Sequence, residues 1–154
     1  MREFCTAGPI VAEQHYFVPP LERLDLPHVM ELIDGHKYFL LHAPRQTGKT
    51  TCLRALVEEL NRGGKYRAVY CNIEGAQAIR ENVTEGIRSV LSALSLAAQR
   101  WLNDPYVRER FDEALRTSGA GGALTSILTD WSLSDNRPLC IMWDETDALV
   151  SRPR

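Results

Sequence analysis

Hydrophobic positions along the chain follow two patterns, short continuous runs and longer stretches in which apolar residues recur every three or four positions. The continuous runs are short enough to be buried strands, and they cover 37–42, 66–73 and 138–143. The periodic stretches predict amphipathic helices at 25–34, 50–61, 77–101, 104–116 and 124–133. Asp25 is the predicted cap of the first helix, and Gly35 ends it. Because strands that alternate with helices are typical of a parallel sheet, the pattern predicts one α/β domain.

The two ends of the chain and one internal segment lack this periodicity. Residues 1–15 predict an N-terminal arm, 16–150 the domain itself and 151–154 a short tail. The segment 117–122, with the sequence TSGAGG, predicts a flexible break between two helices.

Composition and charge narrow the class of protein. The 154 residues are 44% hydrophobic and carry a formal net charge of -2, which suits one globular domain without the strong positive charge of a dedicated nucleic-acid binder. No apolar run approaches the roughly 20 residues of a membrane helix, so we expect no membrane association. The four cysteines form no CxxC pair and no export signal is recognisable, which predicts reduced thiols and a cytoplasmic location.

A phosphate-binding loop follows the first predicted strand. Residues 43–50 have the spacing GxxxxGK[ST], with alanine in place of the first glycine. Such a loop, wrapped between a strand and a helix, points backbone N–H groups at phosphate oxygens. Gly48 permits close approach, Lys49 can reach the β- and γ-phosphates, and the Thr50 hydroxyl can ligate Mg²⁺. The candidate nucleotide-binding residues are Ala43, Pro44, Arg45, Gln46, Thr47, Gly48, Lys49, Thr50 and Thr51.

Two adjacent carboxylates, Asp144 and Glu145, end the third predicted strand. Acids at the end of a buried strand are costly unless they face solvent or a cation, and ligands of open α/β sheets bind at that edge. Asp144 is therefore placed to hold Mg²⁺, directly or through water, and Glu145 to polarise an attacking water. Taken alone, the run also fits a strand that ends in a solvated acidic turn; the phosphate loop upstream favours the magnesium site.

The two motifs together resemble a known family. PRQTGKTT, followed later by an apolar strand ending in Asp-Glu-Thr-Asp, is similar to the Walker A loop and Walker B strand of P-loop NTPases with a catalytic glutamate, and most similar to the AAA-like and archaeal-type ATPase group. The resemblance implies a three-layer αβα fold with a mainly parallel sheet, and ATP with Mg²⁺ as cofactors. It also implies that Lys49 and Thr50 contact phosphate and metal, that Asp144 is the magnesium carboxylate and that Glu145 is the catalytic base.

One departure from this family concerns the sheet. Members of the family place a further strand, which carries a polar sensor, between the Walker B strand and the phosphate-loop strand. After Asp147 the sequence offers no candidate for that strand, for the sensor, for a lid or for an arginine finger in cis. We therefore expect the core to be incomplete on its C-terminal side, as if truncated after the Walker B strand.

Three functions are compatible with these motifs. The first is an ATPase whose nucleotide state changes the packing of an attached module, a protein partner or a neighbouring subunit of a homo-oligomer. The second is a helicase-like, nucleic-acid-dependent ATPase, although the further nucleic-acid motifs that it requires are not found. The third is a nucleotide-binding fragment without turnover, which the missing sensor strand favours.

Overall fold

The computed structural model describes residues 18–44, 47–79 and 82–146, with only the backbone of Ala78. The predicted arm at 1–15 and tail at 151–154 lie outside these residues. The α-helices and β-strands that the structure describes are α1 (Leu26–Asp34), α2 (Lys49–Gly63), β1 (Arg67–Asn72), α3 (Val83–Leu102), α4 (Tyr106–Leu133) and β2 (Leu139–Asp144). Short 3-10 helices cover Pro20–Arg23 and Glu74–Ile79. The chain divides into two compact units, with the boundary between Ala55 and Leu56 inside α2.

The predicted three-layer αβα fold with a mainly parallel sheet of several strands is wrong. The described residues are mostly helical, and their sheet contains two parallel strands, β1 beside β2. The strands predicted at 66–73 and 138–143 are confirmed, because β1 and β2 lie within one residue of those limits.

The strand predicted at 37–42 is not a strand in the structure. A strand forms only where a neighbouring strand accepts and donates its backbone hydrogen bonds, and no ladder to this segment exists among the described residues. Tyr38 and Leu40 are 105% and 82% exposed, whereas Phe39 and Leu41 are partly buried. One side of this segment is therefore partly buried, and the other side faces solvent. The apolar residues alone did not indicate that only one side would be buried.

The first unit contains α1, which has the predicted limits and cap. The carboxylate of Asp25 accepts a 3.3 Å hydrogen bond from the backbone N–H of His28, and Gly35 follows the last helical residue. Val29 and Ile33 are the buried residues of α1, one turn apart on the same face. Local signals were sufficient for this helix.

In the second unit, α3 packs against β1, and α4 packs against α3. β1 is buried from Arg67 to Cys71, and its register with β2 runs from Arg67 opposite Leu139 to Asn72 opposite Asp144. Fully buried side chains from both helices complete the core; they include Leu91, Leu94, Val107 and Trp131. A two-stranded sheet is marginal by itself, so packing against these helices is what stabilises it.

Both long helices differ from the predicted ones. α3 begins at Val83, because Asn82 caps it by accepting a 3.1 Å hydrogen bond from the Glu85 N–H, and a 3-10 helix replaces the predicted first turns. α4 joins the two predicted helices, and the predicted six-residue break is reduced to Gly119, with φ 64° and ψ 176°. None of the helices in the described ranges is long and apolar enough to cross a membrane.

Candidate functional site

The phosphate loop turns into α2 at Gly48. The hydroxyl of Thr47 donates a 2.7 Å hydrogen bond to the carbonyl oxygen of Pro44, which ties the two described sides of the loop together. Gly48 has φ +83°, in the left-handed region that glycine adopts without steric cost. Its carbonyl oxygen accepts the Cys52 N–H at 3.0 Å, so the first hydrogen bond of α2 starts in the loop itself. The loop and the helix N-terminus are therefore continuous, as phosphate binding requires.

Lys49, Thr50 and Thr51 form the first turn of α2. Lys49 and Thr50 are partly buried and Thr51 is exposed. The first N–H groups of any helix have no acceptor within the helix, and the helix dipole places partial positive charge there. This end of α2 consequently suits an anion. Ala43 is partly buried and Pro44 exposed, while the predicted contacts Arg45 and Gln46 lie outside the described residues.

A second cation, Arg23, lies against the loop although no sequence pattern singled it out. Its Nη2 donates a 3.2 Å hydrogen bond to the carbonyl oxygen of Val18, and its Nη1 lies 3.5 Å from the carbonyl oxygen of Thr47. A Cβ atom added to Gly48 would come within 2.7 Å of that Nη1. Gly48 therefore serves both the turn and the close approach of the guanidinium group. Arg23 is 25 positions before Gly48, and no local signal links such distant residues.

Asp144 is the last residue of β2 and is only 2% exposed. Its Oδ2 accepts a 2.9 Å hydrogen bond from the Tyr70 hydroxyl, and its Oδ1 accepts a 3.0 Å hydrogen bond from the backbone N–H of Glu145. A buried carboxylate is costly unless such donors compensate the lost hydration. The two hydrogen bonds thus hold both oxygens in defined positions.

Strand register explains why Tyr70 reaches Asp144. Tyr70 is opposite Met142, and Asp144 is two residues further along β2, so it projects from the same face of the sheet. Diagonal neighbours on one face are within reach of long aromatic side chains. Tyr70 was not predictable as a neighbour of Asp144, since the sequence shows the alternation within each strand but not the alignment between the strands.

Glu145 follows directly but has a different environment. Its side chain is exposed, and its backbone is left-handed with φ +59°. This conformation costs a non-glycine residue roughly 1–2 kcal/mol and turns the chain sharply after β2. The two carboxylates therefore suit different roles, because that of Asp144 is buried and hydrogen-bonded whereas that of Glu145 faces solvent.

The donor groups suit magnesium that is bound together with a nucleotide. Mg²⁺ takes oxygen ligands and is usually held by one or two carboxylates, phosphate oxygens and water. Within the described ranges, no group of three or more His, Cys, Asp or Glu side chains could hold a metal ion by itself. Thr50, in the first unit, supplies a hydroxyl oxygen, and Asp144, in the second unit, supplies a carboxylate. Each is an oxygen donor of the type that Mg²⁺ prefers.

The structure assigns the predicted residues to two groups. The described part of the loop, Arg23 and the first turn of α2 belong to the first unit, whereas Asp144, Glu145 and Tyr70 belong to the second. Each group has the local geometry described above. Comparison of the chain with family models, with curated proteins and with solved structures finds no match.

Proposed function

We propose that this chain binds ATP with Mg²⁺ and hydrolyses it, in the manner of the P-loop NTPases that its motifs resemble. The observation that carries the proposal is the turn at Gly48, which joins the loop directly to the N-terminus of α2 with Lys49 and Thr50 in its first turn. This support is local. It comes from the loop and its helix and not from the overall architecture, which is mostly helical.

Phosphate recognition is the role of the loop and of two cations. In the proposal, the N–H groups at the start of α2 donate to phosphate oxygens, and Lys49 contacts the β- and γ-phosphates. The guanidinium of Arg23, already in place beside Gly48, adds positive charge next to the same turn. Two cations beside a helix N-terminus favour a ligand with several negative charges, as a nucleoside triphosphate has.

Hydrolysis requires a base, and Glu145 is the candidate. The exposed carboxylate of Glu145 accepts a proton from water as the water oxygen forms a bond to the γ-phosphorus. The bond from that phosphorus to the bridging oxygen breaks, and ADP and inorganic phosphate leave. The resemblance assigns Mg²⁺ to the Thr50 hydroxyl of the first unit and to the Asp144 carboxylate of the second unit; the ion would neutralise charge on the phosphate oxygens.

A second candidate function is nucleotide binding without turnover. One observation favours it, since the segment 37–42 ahead of the phosphate loop is not a strand, which is a departure from the ATPases that the motifs resemble. In either case the proposal includes a cytoplasmic location and coupling to an attached module, a protein partner or another copy of the chain. No residue in the described ranges adds support for the helicase-like alternative.

Titration of ATP at millimolar magnesium, with turnover measured in parallel, tests the proposal. Lys49→Ala should weaken ATP binding by roughly 10- to 100-fold, the range for a lost charge-assisted contact. The matched control is Lys37→Ala, which removes an exposed lysine of the same unit and should leave binding unchanged. Equal affinity in the two variants, or no binding by the unmodified chain, would contradict the proposal.

Glu145→Gln separates the two candidate functions. It keeps the size of the side chain but removes the base, so ATP binding should persist while turnover falls by about 100-fold or more. If the unmodified chain binds ATP but shows no turnover, binding without hydrolysis is the function. If the glutamine variant hydrolyses ATP as fast as the unmodified chain does, Glu145 is not the base.

A further inference from the structure

Tyr70 is the buried tyrosine whose hydroxyl meets the candidate metal ligand. Its side chain is 6% exposed within β1, and its hydroxyl lies 2.9 Å from Oδ2 of Asp144. A hydrogen bond to a carboxylate is stronger than one between neutral groups, and burial strengthens it further. The contact is therefore suited to hold the carboxylate in one orientation.

We propose that Tyr70 is a positioning residue, which orients the Asp144 carboxylate for magnesium. This inference rests on the proposed function, because it gives the hydrogen bond a role in metal binding. Tyr70 itself touches neither metal nor nucleotide; it acts through Asp144.

The geometry of the two donors supports this role. Rotation of a carboxylate about its last torsion is broad when nothing restrains it. The Glu145 N–H holds Oδ1 at 3.0 Å, and the Tyr70 hydroxyl holds Oδ2. Since the donors act on different oxygens, one from within β1 and the other from the residue after β2, together they fix the plane of the carboxylate. Without the Tyr70 hydroxyl, one oxygen of Asp144 would lose this restraint.

A restrained ligand should bind magnesium more tightly. Groups that orient a metal ligand usually change metal affinity by about 10- to 100-fold when they are removed. A hydroxyl that only stabilised the core would change the stability of the protein and leave its requirement for magnesium unaltered. The magnesium dependence of ATP binding therefore separates a positioning role from a structural one.

The experiment compares Tyr70→Phe with Tyr66→Phe. Both variants remove one hydroxyl from a buried tyrosine, 6% exposed at position 70 and 4% at position 66, and only the first hydroxyl contacts Asp144 in the described structure. ATP affinity is measured across a magnesium titration and again in excess chelator, after circular dichroism has confirmed the fold. If Tyr70→Phe fails to fold, Tyr70→Met removes the same hydroxyl with a flexible side chain that adapts to a core.

Magnesium should strengthen ATP binding in both proteins. The magnesium concentration at which half of this strengthening is reached should be about tenfold higher, or more, for the Tyr70 variant. Its ATP affinity in chelator should stay within about twofold of the unmodified chain, since the phosphate loop is untouched. Tyr66→Phe should change neither quantity. An unchanged magnesium requirement in the Tyr70 variant would overturn the positioning role alone, whereas failure of the unmodified chain to bind ATP would overturn both proposals.

Discussion

The indole N–H of Trp131 donates a 2.7 Å hydrogen bond to Oδ2 of Asp104. The same carboxylate oxygen lies 3.6 Å from Nη1 of Arg67, and Nη2 of Arg67 donates a 2.8 Å hydrogen bond to the carbonyl oxygen of Trp131. Trp131 is fully buried in α4, and Arg67 is 4% exposed at the start of β1. Three polar groups thus join the sheet to α4 and to the turn before it, in the core of the second unit.

Trp131→Phe should destabilise the protein by roughly 2–4 kcal/mol. The variant leaves a cavity in a fully buried position and removes a hydrogen bond to a carboxylate, and each effect costs one to a few kcal/mol. Urea denaturation followed by circular dichroism measures the change. Trp101→Phe is the matched control, because Trp101 is only partly buried and should lose less than half as much. Equal losses would mean that the Asp104 contact adds nothing.

Asp135 should make the folded state sensitive to acid. Hydrogen bonds from the Arg137 side chain, then from its backbone N–H, lower the pKa of the Asp135 carboxyl far below its ordinary value of 3.8. Because the folded pKa is depressed, the contribution to stability is present above the unfolded pKa and is lost as pH falls through the folded one. Between about pH 5 and pH 2, Asp135→Asn should therefore lose less stability than the unmodified chain does.

Asp130→Asn provides the comparison for this acid effect, since it removes an exposed carboxylate from α4. Its free energy of unfolding, measured in urea at several pH values, should fall with acid as steeply as that of the unmodified chain. If Asp135→Asn shows that same slope, the ion pair with Arg137 does not contribute to stability.

Features set by neighbouring residues were predictable from the sequence, whereas features set by distant contacts were not. The cap at Asp25 and the stop at Gly35 gave α1 correctly, because both act within one turn of the helix. The strand predicted at 37–42 was wrong, because a strand needs a neighbouring strand and the residues of the segment do not indicate whether one is present. At the candidate site, Gly48 and Asp144 were identified from their motifs. The contacts of Arg23 with the loop and of Tyr70 with Asp144 are visible only in the folded structure.

The predicted start of α3 was wrong for a different reason. The apolar spacing continues back to Ile79, so periodicity placed the helix too early, and Asn82 with Glu85 three positions later was a cap signal that outweighs it. Gly119 shows the opposite case. The six small residues at 117–122 suggested a long break, but in the described structure Gly119 alone has non-helical backbone angles. Composition therefore located the break without giving its length.

Burial of two thiols should slow their alkylation. Burial raises the pKa of the Cys71 thiol to about 12 and that of the Cys140 thiol to about 11, both from an ordinary value of 9.0. Since the thiolate is the reactive form, both native thiols at about pH 8 should react at least about tenfold more slowly than in the unfolded chain, and Cys71 should be the slower of the two. Iodoacetamide labelling read by mass spectrometry gives both rates, with the urea-unfolded chain as control. Equal native rates would contradict this order.

Gly48→Ala should weaken ATP binding by roughly 5- to 100-fold. Alanine at φ +83° is strained by about 1–3 kcal/mol, and its Cβ would meet Nη1 of Arg23 at 2.7 Å, so the guanidinium group has to move away from the loop. Gly63→Ala is the control, because the added Cβ has no neighbour within 4 Å and the residue lies at the far end of α2. Nucleotide titration measures both. Unchanged affinity in the Gly48 variant would show that this turn does not hold the nucleotide.

Replacement of either of two glycines of α4 by alanine should change the stability of the protein, in opposite directions at the two positions. Gly119 has φ 64° and ψ 176°, a conformation that is essentially restricted to glycine, so Gly119→Ala should destabilise the protein by about 1–3 kcal/mol. Gly121 has no positive φ and lies two positions further along α4, and a Cβ added there meets nothing within 4 Å. Alanine favours helix over glycine by roughly 0.5–1 kcal/mol, so Gly121→Ala should stabilise it by that amount.

Urea denaturation of the two variants beside the unmodified chain measures this contrast. Both variants add one methyl group to the same helix, so hydrophobicity and composition are matched and only the backbone conformation differs. The bend at Gly119 is a requirement of the native structure if its variant alone loses stability. A gain of stability in Gly119→Ala similar to that in Gly121→Ala would mean that α4 runs straight through position 119 at no cost, and would contradict the break at Gly119.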